Sequence, residues 1–273
     1  MQQALGDLHG SLASAQETAH IRSRLQDALQ LTSSPVSFLR EEGFKCLAAL
    51  VAEAAAEPAA MPNFCRALEG VAAALGAILK SFDNWSASKG LSGSSRIHQV
   101  SFEEFQGAGL ALEGLALVCP SFREAARSRG VIEVLLNKLE LHHMLTKKSC
   151  LKGLAALLVN SLPNMTRFTE VSGVEKVCSV LRESGLPASV RASCAELLSL
   201  VADELRHAPS TSQAAGYAMR QSLLVKLQRI VQNEVGAGAA RAILQDMHAS
   251  EDRQLLASHI QTASLSAVAL VPE

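Results

Sequence analysis

The chain repeats itself. The stretches Cys46-Leu-Ala-Ala-Leu-Val51, Gly114-Leu-Ala-Leu-Val118 and Gly153-Leu-Ala-Ala-Leu-Leu-Val159 each run into a proline (Pro62, Pro120, Pro163). An arginine follows (Arg66, Arg123, Arg167), and then a glycine with a valine behind it (Gly70, Gly130, Gly173). Gly130 to Gly173 and Cys150 to Cys194 are spaced by roughly 43 to 44 residues, a period of helical repeats. One such unit cannot bury its own apolar faces, whereas stacked neighbours make a continuous core.

The composition agrees with helices. Hydrophobic residues make up 48% of the chain and aromatics only 4%, and the apolar count leans on Ala and Leu, the strongest helix formers. The expected fold is all-α, a right-handed superhelical solenoid of armadillo or HEAT-like repeats. In the repeat, Pro forces the corner after the long helix. Gly ends the short helix in a left-handed conformation, and the small Gly or Cys lets long helices approach closely.

Apolar spacing predicts one helix or a broken pair over 2–31. Pro35 fits the first turn of a helix over 36–56, which Pro58 and Pro62 end. A short helix from Asn63 is expected to be capped by that side chain and closed by Gly70, with a longer one over 71–82. The Ser- and Gly-rich stretch 83–101 reads as a loop inserted within one repeat domain. Helices follow over 102–119, from Ser121, from Val131 and from Thr146. A second trio covers 164–172, 174–183 and 188–205, broken at Gly185 and Pro187. The domain organisation is thus capping helices over 1–35, repeats over 36–205, and a linker with capping helices over 206–273. Within the last part, the amphipathic stretch 217–235 is a cap or a detached partner-binding helix, and a further helix or two spans 238–260.

Net charge is -1 with a pI near 6.7, and no basic block carries interleaved aromatics, so nucleic acid is not an expected partner. No run of about eighteen apolar residues is present, so no membrane insertion is expected. The N-terminus lacks the basic and apolar regions of a secretion signal, Gln2 stands where myristoylation needs glycine, and no prenylation box closes the chain. A cytoplasmic location follows as an expectation. The six cysteines, with no CxxC among them, read as reduced core residues.

No catalytic constellation is found, and neither an enzyme activity nor a cofactor is expected. Residues 236–241, Gly-Ala-Gly-Ala-Ala-Arg, mimic part of a dinucleotide fingerprint without its third glycine or its preceding strand. His142 and His143 near Cys119 and Cys150 are poor chelators, because adjacent helical side chains point about 100° apart. They are read at the corner before a long helix, beside a negative dipole end. No metal site is assigned.

Aligning the repeats puts Glu113, Lys152 and Glu196 at equivalent points of successive long helices, with Lys148 and Arg191 close by in sequence. This row is either an exposed ion-pair ladder, at about 0 to 1 kcal/mol per pair, or the polar floor of a partner groove. Importin-type armadillo receptors carry an Asn ladder on these helices. Here the equivalents are Val118, Leu157 and Val201, which argues against a nuclear-import role.

The run from Gly109, with Gly114, Leu115, Pro120, Ser121 and Arg123, resembles the cell division control protein 14 family. The later Asn164, Arg167, Phe168, Gly173 and Val174 carry the same likeness. The family meant is the septation-initiation-network component and not the phosphatase of that name. The likeness covers 108–205, with an echo from Phe38. It implies an armadillo-like, non-catalytic scaffold that binds a germinal-centre-class protein kinase in cytokinesis signalling, recruited to the spindle pole or division site. The alternative reading is an armadillo-type nucleotide exchange factor for the seventy-kilodalton heat-shock chaperone.

Overall fold

The computed structural model describes residues 2–57, 59–68, 71–87, 100–141, 143–207 and 214–244. All regular structure among them is helical, in thirteen helices. The described residues divide into two compact units, one up to Phe122 and one from Arg123 onward. No described helix is long and apolar enough to cross a membrane.

The first unit begins with one continuous helix, α1 (Gln2–Thr32). Then come α2 (Ser37–Ala56), α3 (Met61–Ala67), α4 (Val71–Ala87) and α5 (Phe102–Val118). Helix α2 packs between α1 and α5, α3 lies against α1, and α4 lies against α5. Two close approaches explain the glycines of α2 and α5. A Cβ on Gly43 would sit 2.6 Å from the Thr32 backbone nitrogen, and one on Gly114 would sit 2.7 Å from a Val51 methyl. The core is aromatic: Phe44, Phe64, Phe82 and Phe105 are fully buried. Phe82 and Trp85 stack on Phe105 at ring separations of 5.0 and 5.5 Å.

Several expectations change here. Pro35 lies ahead of the helix, because Val36 is the N-cap residue and its N–H is taken by the Ser34 hydroxyl. Pro62 does not end α2 but sits in the first turn of α3, where a missing N–H costs nothing. Asn63 is therefore inside α3 and is no cap. Its buried side chain accepts from the Ser14 hydroxyl and donates to Glu17 on α1. The stretch expected as a loop from residue 83 is helical to Ala87, since Trp85 still has Phe102 and Phe105 to pack on. Positions 88–99 and Gly70 lie outside the described residues.

From Pro120 onward come α6 (Pro120–Ser128), α7 (Val131–Lys138) and α8 (Met144–Leu158), then α9 (Leu162–Glu170), α10 (Gly173–Arg182) and α11 (Ala188–His207). Helices α12 (Ala214–Val235) and α13 (Ala237–Leu244) follow, and the rest of the expected 238–260 helix lies outside the described residues. In the second unit α8 packs on α7 and α11, while α10, α11 and α13 pack on α12. The core is aliphatic, built from residues such as Ile132, Leu154, Leu157, Val177 and Leu198 around the single buried ring of Phe168.

The two corners after the short helices solve one problem differently. At the first, Gly130 takes the left-handed conformation (φ 71) before α7, as expected. At the second, Ser172 takes it (φ 58), and Gly173 is the first helical residue of α10. Gly173 is small for another reason: a Cβ there would overlap the Phe168 ring. His143 is the N-cap of α8, its Nδ1 accepting from the Thr146 N–H at 3.3 Å. It therefore stands at the positive end of a helix and not beside a negative one; His142 lies outside the described residues.

Candidate functional site

Any site must be made from side chains the fold does not consume, so the consumed ones come first. In the first unit Arg40 of α2 and Glu104 of α5 form a buried ion pair, with side chains 9% and 1% exposed. Arg40 Nε and Nη2 each donate to one carboxylate oxygen at 2.8 Å, and Nη1 donates to the carbonyls of Ser34 and Pro35. The hydroxyls of Ser81 and Ser37 donate to the same carboxylate at 2.6 and 2.7 Å. A cavity of about 150 Å³ lies beside this pair, with Lys80 and Asn84 on its wall. The pair stitches the α1–α2 corner to α4 and α5, and its donors and acceptors are spent on one another.

In the second unit Lys147 of α8 is 1% exposed and donates to the Leu139 carbonyl at 2.6 Å and to Glu183 at 2.7 Å. Asn164, also buried, donates to the carbonyls of Leu157 and Arg123, tying α9 to the end of α8 and the start of α6. Arg167 bridges to Glu133 on α7 and to Glu170. The family-like residues Gly114, Asn164, Phe168 and Gly173 thus act in packing, and Arg167 in a surface ion pair. Pro120 opens α6, and Arg123 is the residue whose carbonyl Asn164 grips.

The predicted partner row divides. Glu113 is buried in the first unit and engaged within the protein, which removes it from any surface a partner could reach. Lys148 and Lys152 are half-buried on α8, and Arg191 and Glu196 are exposed on α11. Helix α11 packs on α8, yet these four form no ion pair with a described residue, so the row is not a salt-bridge ladder. Leu145, Lys148 and Lys152 fall at i, i+3 and i+7 and share one face of α8. Leu145 is 53% exposed, and Met144 beside it is exposed as well.

Sequence reasoning missed the Arg40–Glu104 and Lys147–Glu183 pairs. The one signal for the Asn positions was the repeated Pro-Asn step at Pro62-Asn63 and Pro163-Asn164. Among the described residues no three His, Cys, Asp or Glu side chains converge on a metal-sized site. The Gly-Ala-Gly-Ala-Ala-Arg stretch opens α13 directly after α12, so helix precedes it where a dinucleotide motif needs a strand.

No family model matches the chain. No match is found among curated proteins. Among solved structures, the chain is similar to the crystal structure of an engineered protein at 16% identity and a TM-score of 0.50, covering 89% of this chain and 96% of that one. A second engineered protein gives 16% identity and a TM-score of 0.49 over the same shares of both chains.

Proposed function

We propose that this chain is a non-catalytic, armadillo-like adaptor that holds a protein kinase of the germinal-centre class, and that the α8 face of its second unit makes the contact. The observation that carries the reading is the set of cations that the fold leaves unspent. Among the described residues Lys148 and Lys152 have no ion-pair partner, whereas Lys147 beside Lys148 is committed to the Leu139 carbonyl and Glu183. They share their helix face with the exposed Leu145, and charge next to exposed apolar surface is the composition of an interaction site. The two trios α6–α8 and α9–α11, with prolines at the start of their short helices, support the repeat architecture.

The test uses purified components. Immobilised full-length protein is expected to retain a germinal-centre-class kinase, and Lys148→Glu with Lys152→Glu should weaken retention at least tenfold while far-UV circular dichroism stays unchanged. Absence of retention by the unsubstituted protein would sink the kinase reading. Retention that ignores the double substitution would move the contact off α8.

A further inference from the structure

Large apolar side chains left in water are clustered among the described residues, and two of the clusters carry opposite charge. Val36, Phe38 and Leu39 are exposed at the start of α2, Phe38 by 66%, and Met144 and Leu145 are exposed at the start of α8. On α2, Glu42 follows Phe38 at i+4 and Leu39 at i+3, so it shares their face. It is exposed, as is Glu103 on α5, the helix packed on α2. Neither acid has an ion-pair partner among the described residues. A third acid, Glu41, is neutralised by Lys45 at 2.8 Å. That hydrogen bond first, and the charges of Glu42 and Glu103 after it, hold the Lys45 ammonium above its ordinary value, which places both unpaired acids around it. On α8 the sign is reversed. Lys148 and Lys152 follow Leu145 at i+3 and i+7, and α11, packed on α8, adds the exposed Arg191 against one exposed acid, Glu196. The first unit thus carries an apolar patch with an acidic margin, and the second an apolar patch with a basic one.

We propose that these patches are the two halves of one self-contact, in which the α2 face of one copy of the chain docks on the α8 face of another. Exposed apolar clusters of this kind mark interaction surfaces, and the charges select the occupant. Leu39–Glu42 and Leu145–Lys148 share one order, an apolar residue with a charge three positions on. Two such helices laid side by side in the same direction put apolar on apolar and carboxylate on ammonium at once. The reverse direction sets Leu145 against Glu42. Pairing of like faces is disfavoured, because acid would meet acid or base would meet base in a closing interface. The contact therefore joins unlike faces, and each copy brings one of each kind. Five apolar side chains fall well short of the roughly 20 to 30 residues a side that a stable interface uses. Association is accordingly weak, dependent on concentration and screened by salt. It covers the α8 face offered above to a kinase, so a copy docked on its neighbour has that face closed.

Sedimentation of the full-length protein tests this without any kinase, so the result stands whether or not a kinase binds. The weight-average mass is expected to rise with concentration in low salt and to return to that of the monomer in high salt. Glu42→Lys with Glu103→Lys makes both faces basic, and Lys148→Glu with Lys152→Glu makes both acidic. Each variant alone should stay monomeric with unchanged circular dichroism, and an equimolar mixture of the two should regain association, because every unlike pairing is restored. Phe38→Ala, which alters no charge, should lower the association constant of the unsubstituted protein at least threefold. A monomer at every concentration, a mixture that stays monomeric, or either charge variant associating alone as the unsubstituted protein does would overturn the proposal.

Discussion

The two units bury a cation–carboxylate pair each, and they do it in opposite ways. In the first the acid is the enclosed partner: Glu104 is 1% exposed and collects two guanidinium and two hydroxyl donors. In the second the cation is enclosed: Lys147 is 1% exposed, while Glu183 is 36% exposed and keeps water on one side. The surroundings follow suit. Glu104 lies by an aromatic cluster of Phe82, Trp85 and Phe105, whereas Lys147 sits among aliphatic side chains and thiols, its charge felt at Cys150 and Cys194. A carboxylate has about four lone-pair sites to satisfy and an ammonium has three protons. The first pair therefore needs a network around it, and the second only a carbonyl and one acid.

Removing the acid from each pair is the strongest way to break this contrast. Glu104→Ala strands a guanidinium away from water and leaves two hydroxyls without their acceptor, for an expected loss of about 3 to 5 kcal/mol. Urea unfolding followed by Trp85 fluorescence reads it, since the chain's single tryptophan lies in this unit beside the pair's own helices. Glu183→Ala leaves Lys147 its Leu139 carbonyl and a route to water. The expected loss is about 1.5 to 3 kcal/mol, seen in helicity by circular dichroism. Equal losses at the two sites would show that enclosure of the acid is not what separates the units.

The thiols give the next contrast. Cys150 and Cys194 ionise near 9 when unfolded and at about 12 when folded. Between those values the unfolded chain gives up protons that the folded chain keeps. Stability is therefore complete below about pH 9 and lost as pH climbs toward 12. The slope is about 1.4 kcal/mol per thiol for each pH unit, as an upper bound. Titration upward from pH 8 should cost helicity in the second unit before the Trp85 signal of the first unit moves, and Cys194→Ala should flatten the slope. Loss of the tryptophan signal first would reverse the assignment.

How far these features were legible in the sequence depends on how local their causes are. The second trio was readable because its signals are short-range: Pro163 at a helix start, Gly185 in a positive-φ turn, and apolar spacing over α10 and α11. Gly173 was legible as small but for the wrong reason, because the clash with Phe168 depends on how α9 folds back on α10. The Arg40–Glu104 pair joins residues 64 positions apart, and no spacing rule reports such a meeting. Glu113 shows the same limit from the other side. Repeat alignment placed it correctly on a long helix, yet only packing determines that this turn of α5 faces inward. Lys148 and Lys152 were visible as candidates, but that Lys147 would be consumed and the adjacent Lys148 spared could not be read from two neighbouring lysines.

The smallest expected effect is at Arg167, and it separates packing from surface charge within a single helix. Arg167 and Asn164 stand one turn apart on α9. Asn164 is buried and holds two carbonyls, whereas Arg167 reaches Glu133 and Glu170 with all three side chains substantially in water. Exposed pairs of this kind trade Coulomb attraction against side-chain entropy and salt screening. Arg167→Ala should therefore leave the urea midpoint unchanged, in low and in high salt, while Asn164→Ala lowers it measurably by orphaning buried carbonyls. A salt-dependent drop for Arg167→Ala would mean that the Glu133–Arg167–Glu170 set acts as a coupled network, and that the second unit draws stability from its surface as well as from Lys147.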